Sequence, residues 1–138
     1  MIFTHNGYLN YELPENWCAE EAEDNLLLYN PNEGQGAITI SFFNVLKTVE
    51  TLDEQISILA KRFVDQNKIS LHSPLILFDT KDGKTTLHGT GTTFDGWFIK
   101  LWIVAKYPKI VFATYQSEQK NKELKICNSI IDSIQFTF

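Results

Sequence analysis

Trp97-Phe98-Ile99-Lys100-Leu101-Trp102-Ile103-Val104-Ala105 is the stretch from which the fold of this chain can be read. In an extended strand successive side chains point to opposite faces. One face then carries Trp97, Ile99, Leu101 and Ile103, and the other carries Phe98, Trp102 and Val104, interrupted by Lys100. A strand that is apolar on both faces has to be covered on both, so a layer of structure is expected on each side of its sheet. Asp95-Gly96 stands before the stretch and Tyr107-Pro108-Lys109 after it, and both are turn sequences. Thr85–Phe94 and Ile110–Gln116 read as the flanking strands. Leu75–Phe78 reads as a fourth, joined through Asp82-Gly83. Glycine supplies the positive φ that tight hairpins need, so an antiparallel meander is expected over these four strands.

Upstream of the meander, Thr51 and Glu54 have the spacing of a capping box, in which the threonine caps the first free N–H groups and the glutamate reaches back. Leu52, Ile56, Leu59, Ala60 and Phe63 follow at helical spacing, which predicts a helix from Thr51 that fades near Gln66-Asn67. A second helix is expected over Glu118–Ser133. It places Leu124, Cys127, Ile130, Ile131 and Ile134 inward and Lys120, Lys122, Glu123 and Lys125 outward. The beginning of the chain reads as a hairpin, Ile2–His5 and Tyr8–Leu13 around Asn6-Gly7, stopped by Pro14. An acidic loop, an apolar run Leu26–Tyr29, a turn through Asn30–Gly34 and a strand Ala37–Val45 come next. Phe136-Thr137-Phe138 is expected to return to the surface of the core.

These elements amount to an α+β fold with one antiparallel multi-stranded sheet flanked by two main helices. Its 138 residues fall in the single-domain range, so residues 1–138 are expected to form one domain. A hydrophobic fraction of 43% with 21% charged residues is globular rather than disordered. No apolar run approaches the roughly 18 residues that a membrane span requires. Met1–Asn6 has neither a basic start nor a long apolar stretch, so a cytoplasmic location without membrane insertion is expected. The net charge of −5 opposes nucleic acid and anionic lipid as partners, because both need a concentrated positive field. Cys18 and Cys127 read as free thiols, the latter buried on its helix.

The order of strands, helix, four-strand meander and terminal helix resembles the α/β/α sandwich shared by the PsbP proteins of photosystem II and the Ran-binding Mog proteins. Tyr8-Leu9-Asn10-Tyr11-Glu12-Leu13-Pro14-Glu15-Asn16-Trp17 is similar to the strand and Pro–Trp corner that begins many bacterial relatives. Gly36-Ala37-Ile38-Thr39-Ile40-Ser41 is similar to the strand that follows it. The resemblance implies a binding role without a common reaction. No metal-handling residue and no acidic Ran-binding motif of those families maps onto this chain.

Chemistry is sparse. His5, His72, His88, Cys18 and Cys127 show no paired metal-ligand spacing, so no metal and no cofactor is expected. There is no G-x-S-x-G turn for a nucleophile. Gly89-Thr90-Gly91 lacks the third glycine and the following helix of a phosphate cradle, and is better explained by a large side chain, such as a Trp, crossing the sheet. Glu15, Glu20, Glu21, Glu23 and Asp24 read as a solvated acidic loop.

Two functions remain open. The first is a non-catalytic protein-binding module: an adaptor, a secretion-associated chaperone or an immunity-type protein. Its partner is another protein of unknown identity, and Trp97, Phe98 and Trp102 are the candidate anchors. At least two of these three rings are expected in the core. The second is a ligand-binding protein or enzyme with a pocket between sheet and helices, and His88, Tyr115 or Asp95 near its mouth.

Overall fold

The computed structural model describes residues 2–5, 7–22, 24–32, 34–48, 50–80 and 82–137. In chain order the elements are β1 (Ile2–His5), β2 (Leu9–Glu12), β3 (Cys18–Glu21), β4 (Asn25–Tyr29), β5 (Gly36–Asn44), α1 (Leu52–Gln66), β6 (Ser70–Leu71), β7 (Ile76–Asp79), β8 (Thr85–Thr92), β9 (Phe98–Lys106), β10 (Lys109–Ser117), α2 (Glu123–Asp132) and β11 (Gln135–Phe136). Among the described residues, eight strands form one antiparallel sheet in the order β3-β4-β5-β10-β9-β8-β6, and β7 also lies on the outer side of β8. The meander β7-β8-β9-β10 is the one the turn residues require. Gly83 and Gly96 sit at its hairpins with φ of 83° and 89°, which side chains rarely adopt.

The two faces of β9 feed two separate cores. Leu101, Ile103 and Ala105 join Ile110 and Phe112 of β10 and Leu87 of β8 under Ile56 and Ala60 of α1. Phe63 of α1 meets Phe112 with ring centres 4.8 Å apart. On the other face Phe98, Trp102 and Val104 pack with Val111, Ala113 and Tyr115, with Leu26, Leu28, Ile38 and Ile40, and with Leu124, Cys127, Ile130 and Ile131 of α2. Each fully buried Leu or Ile contributes about 1.5–3 kcal/mol relative to exposure. The two-sided burial of β9 therefore does most to fix the sandwich. No described helix is long and apolar enough to cross a membrane.

Several elements depart from the sequence reading. The opening hairpin does not extend the main layer. β1, β2 and β11 form their own three-stranded sheet, because Leu9, Tyr11 and Leu13 are needed in the core beneath α2. The Tyr8 hydroxyl donates to the Phe43 carbonyl at 2.6 Å, and His5 stacks on Phe42 at 4.5 Å, which pins this small sheet against β5. Asn6 and Phe138, assigned to the turn and the returning end, lie outside the described residues.

The acidic segment is partly the strand β3. Glu20 accepts the Tyr29 hydroxyl at 2.6 Å and Glu21 lies 3.3 Å from His5, while Glu23 lies outside the described residues. α2 starts at Glu123 rather than Glu118. The side chain of Asn121 accepts the Glu123 N–H at 2.8 Å, and Ser117 Oγ donates to the Gln119 carbonyl at 2.7 Å, so residues 118–120 turn instead of winding. Gly89 and Gly91 do admit a close approach, but by Leu75 and Ile69 rather than a Trp. A Cβ at these positions would lie 2.5 Å from Leu75 Cδ2 and 2.8 Å from Ile69 Cγ2.

Candidate partner-binding surface

Of the three candidate anchors, the structure buries two. Phe98 is 6% and Trp102 3% exposed, both in the core beneath α2, whereas Trp97 is 41% exposed. The difference follows from strand position. Phe98 and Trp102 lie inside β9 on one pleat, whereas Trp97 precedes the strand and belongs to its turn. Trp102 is tied further, since its Nε1 and the Lys100 ammonium both donate to Asn128 Oδ1, at 3.3 and 2.8 Å. The lysine that interrupts this apolar face is thereby paired, and burial holds its pKa below the ordinary lysine range.

The turn carrying Trp97 is locked by one residue. Thr93 N–H donates to the Trp97 carbonyl at 2.8 Å, the Thr93 carbonyl accepts from Gly96 N–H at 2.9 Å, and its Oγ1 accepts from Trp97 N–H at 3.0 Å. This holds Phe94, 75% exposed, and Trp97 on one short rigid segment. Two shallow clefts flank the indole. One, of about 380 Å³, runs between Trp97, Phe94, Asp95 and the end of α1 at Phe63 and Asn67. The other, of about 450 Å³, lies against Gln35 and the loop Ser117–Asn121.

Backbone strain borders the first cleft. Lys68, just past the end of α1, has φ of 51° and holds its ammonium 5.2 Å from the Phe94 ring centre. Glu123 stands behind the second. It is buried, and its Oε1 accepts the Tyr115 hydroxyl at 2.9 Å and the N–H groups of Gly36 and Gln35 at 3.2 and 3.3 Å. That carboxylate staples the start of α2 to β5 and fixes the far wall of the cleft. Sequence reasoning passes over Phe94 and Lys68 as contact residues, and it sets Glu123 on the outward side of the second helix. The structure instead buries Glu123, because its carboxylate accepts three hydrogen bonds, from Gly36 of β5, Gln35 and Tyr115. The two aromatics flanking Asp95-Gly96 were the signal that could have found the first.

The groups assigned to a ligand pocket are scattered. His88 packs edge-on to Phe78 at 5.6 Å, and burial, reinforced by Lys100, pushes its pKa down. Tyr115 is fully buried and its hydroxyl is pushed up to about 12, mainly by burial. Asp95 lines the cleft beside Trp97, which neither His88 nor Tyr115 reaches. A third cleft of about 480 Å³ lies at the other end of the strands, between β5 and α1, around Phe43, Leu46, Ile58 and Leu59. Among the described residues no group of three His, Cys, Asp or Glu side chains is placed to hold a metal, and Cys18 and Cys127 are both free thiols.

A large antiparallel sheet between α1 on one face and α2 with a small sheet on the other is the PsbP/Mog-like α/β/α architecture, and the chain has that fold. It is similar to the solution structure of the cyanobacterial PsbP (CyanoP) from Synechocystis sp. PCC 6803, with a TM-score of 0.76 at 9% identity over 99% of this chain and 91% of that one. It is similar to the protein Mog1 with a TM-score of 0.59 at 8% identity, over 96% and 93% of the two chains. A protein from Bacteroides thetaiotaomicron matches 99% of this chain with 48% of its own length, at a TM-score of 0.59 and 16% identity. No protein-family model and no curated protein matches the sequence.

Proposed function

We propose that the chain acts, as one domain, as a non-catalytic protein-binding module of the cytoplasm, and that it engages its partner through the turn bearing Phe94 and Trp97. The observation that carries this reading is the rigid display of two large aromatic rings on a turn locked by Thr93, with a cleft on either side of the indole. Rigid aromatics lose little conformational freedom on binding, and Trp is among the residues enriched at binding hot spots. The net charge of −5 and the absence of a spanning helix among the described residues are in keeping with a protein partner rather than nucleic acid or lipid interior. The scattering of His88, Tyr115 and Asp95 weighs against the reading of a shared ligand pocket.

The test compares partner recovery from native lysate by the unaltered chain, by the double variant Phe94→Ser/Trp97→Ala, and by Tyr107→Ser. Tyr107 is equally open, at 63%, but lies at the far end of β9. Truncating a hot-spot ring costs roughly 2 kcal/mol, or about thirtyfold in affinity. The double variant is expected to lose the partner while Tyr107→Ser keeps it. Equal recovery by all three proteins would discard the aromatic turn as the binding surface.

A further inference from the structure

The two edges of the large sheet are defended differently. The β3 edge carries Glu20 and Glu21, charges that keep another strand away. The β7 edge carries Ile76, Leu77 and Phe78, respectively 54%, 38% and 43% exposed, with no charge before Asp79 and no proline. β7 pairs with β8 in the register Ile76↔His88, Leu77↔Leu87, Phe78↔Thr86, and Thr80 N–H donates to the Lys84 carbonyl at 2.7 Å. Antiparallel pairs alternate between hydrogen-bonded and non-bonded. Counting back from Thr80, Phe78 and Ile76 spend their amides on β8, and the N–H and carbonyl of Leu77 and Asp79 point outward. Among the described residues no strand pairs on that side.

We propose that β7 pairs with the β7 of a second copy of this chain, antiparallel across a two-fold axis at Leu77. Outward amides can meet only outward amides, so Leu77 must oppose either the Leu77 or the Asp79 of its copy. The first register sets Ile76 against Phe78 on one face, Leu77 against Leu77 on the other, and keeps both Asp79 carboxylates at the ends. The second puts a carboxylate between apolar side chains, which costs desolvation. The pairing is closed, because a two-fold contact uses the same β7 edge in both copies, so dimers rather than filaments form. Four residues a side is a small interface, of the kind that gives weak, concentration-dependent association. Each copy carries −5, so salt strengthens the dimer by screening repulsion.

Sedimentation of the full chain is expected to show the mass rising with concentration from 15.9 kDa toward twice that value, more readily at high salt. Leu77→Lys is expected to weaken the dimer at least tenfold. In a Cys18→Ser background, Leu77→Cys is expected to give a disulfide-linked dimer under mild oxidation, since facing residues of a bonded pair lie about 5.5 Å apart, within disulfide reach. Leu46→Cys, at a 67% exposed site near the end of β5, is expected to stay monomeric. Failure of Leu77→Cys to cross-link more than Leu46→Cys overturns the proposal whatever the mass, as does a dimer indifferent to Leu77→Lys. A chain that remains monomeric throughout also overturns it, and leaves the edge to a strand of another protein.

Discussion

Lys68 shows how a single residue can be strained and useful together. It follows the cap Asn67, where Lys68 N–H reaches the Asp65 carbonyl at 3.3 Å and Ile69 N–H reaches Val64 at 3.0 Å, an ending for which glycine is the usual choice. The left-handed backbone costs a side-chain-bearing residue about 1–2 kcal/mol. An exposed ammonium over a ring returns about 0.5–1 kcal/mol. Lys68→Gly is therefore expected to gain up to about 1.5 kcal/mol, the difference between that cost and that return, read as a higher urea midpoint. A lower midpoint would show that the contact with Phe94 outweighs the strain. The positive φ was not legible in the sequence, because lysine carries no signal for it. Lys100 was half legible: alternation exposed it as a polar break in an apolar face, but its partner Asn128 is 28 positions away on another element.

At the scale of elements, local chemistry decided what could be read. The capping box of α1 is present as expected, with Glu54 N–H on Thr51 Oγ1 at 3.2 Å and Thr51 N–H on Glu54 Oε1 at 3.3 Å. The hairpins of the meander were equally readable, because Asp-Gly pairs announce themselves. β3 was missed because Cys18-Ala19-Glu20-Glu21 has no apolar alternation and becomes a strand only through β4. β6 was missed because two residues make no pattern, and it depends on the bareness of β8. A Cβ on Gly91 would fall 2.8 Å from the Ser70 carbonyl oxygen, a backbone atom that cannot swing aside. Gly91→Ala is accordingly expected to cost about 1–3 kcal/mol, as overpacked sites do. Hydrogen exchange should show the loss first in the amides of Ser70 and Leu71, and unchanged protection there would contradict the account.

For the whole molecule the decisive fact is that β9 and β10 serve two cores, and the one under α2 contains the groups that must stay protonated. Tyr11, Tyr115 and Cys127 are all essentially inaccessible. Burial is the main cause that pushes each of them up to about 12, aided by Glu21 for Tyr11 and by Glu123 for the other two. In the unfolded chain the thiol ionises near 9 and the phenols near 10. Above pH 9 the unfolded state thus holds fewer protons than the folded one, so stability falls as pH rises. The stability present below pH 9 is expected to drain away between pH 9 and 12, at up to about 1.4 kcal/mol per pH unit for each group. Cys127 should begin the decline, so Cys127→Ala is expected to flatten the curve between pH 9 and 10 and leave the later fall to the tyrosines. Urea midpoints taken stepwise from pH 7 to 11 read this directly. Midpoints that stay level through pH 11 would mean that these three groups meet solvent in the folded chain, and that the core beneath α2 is not closed.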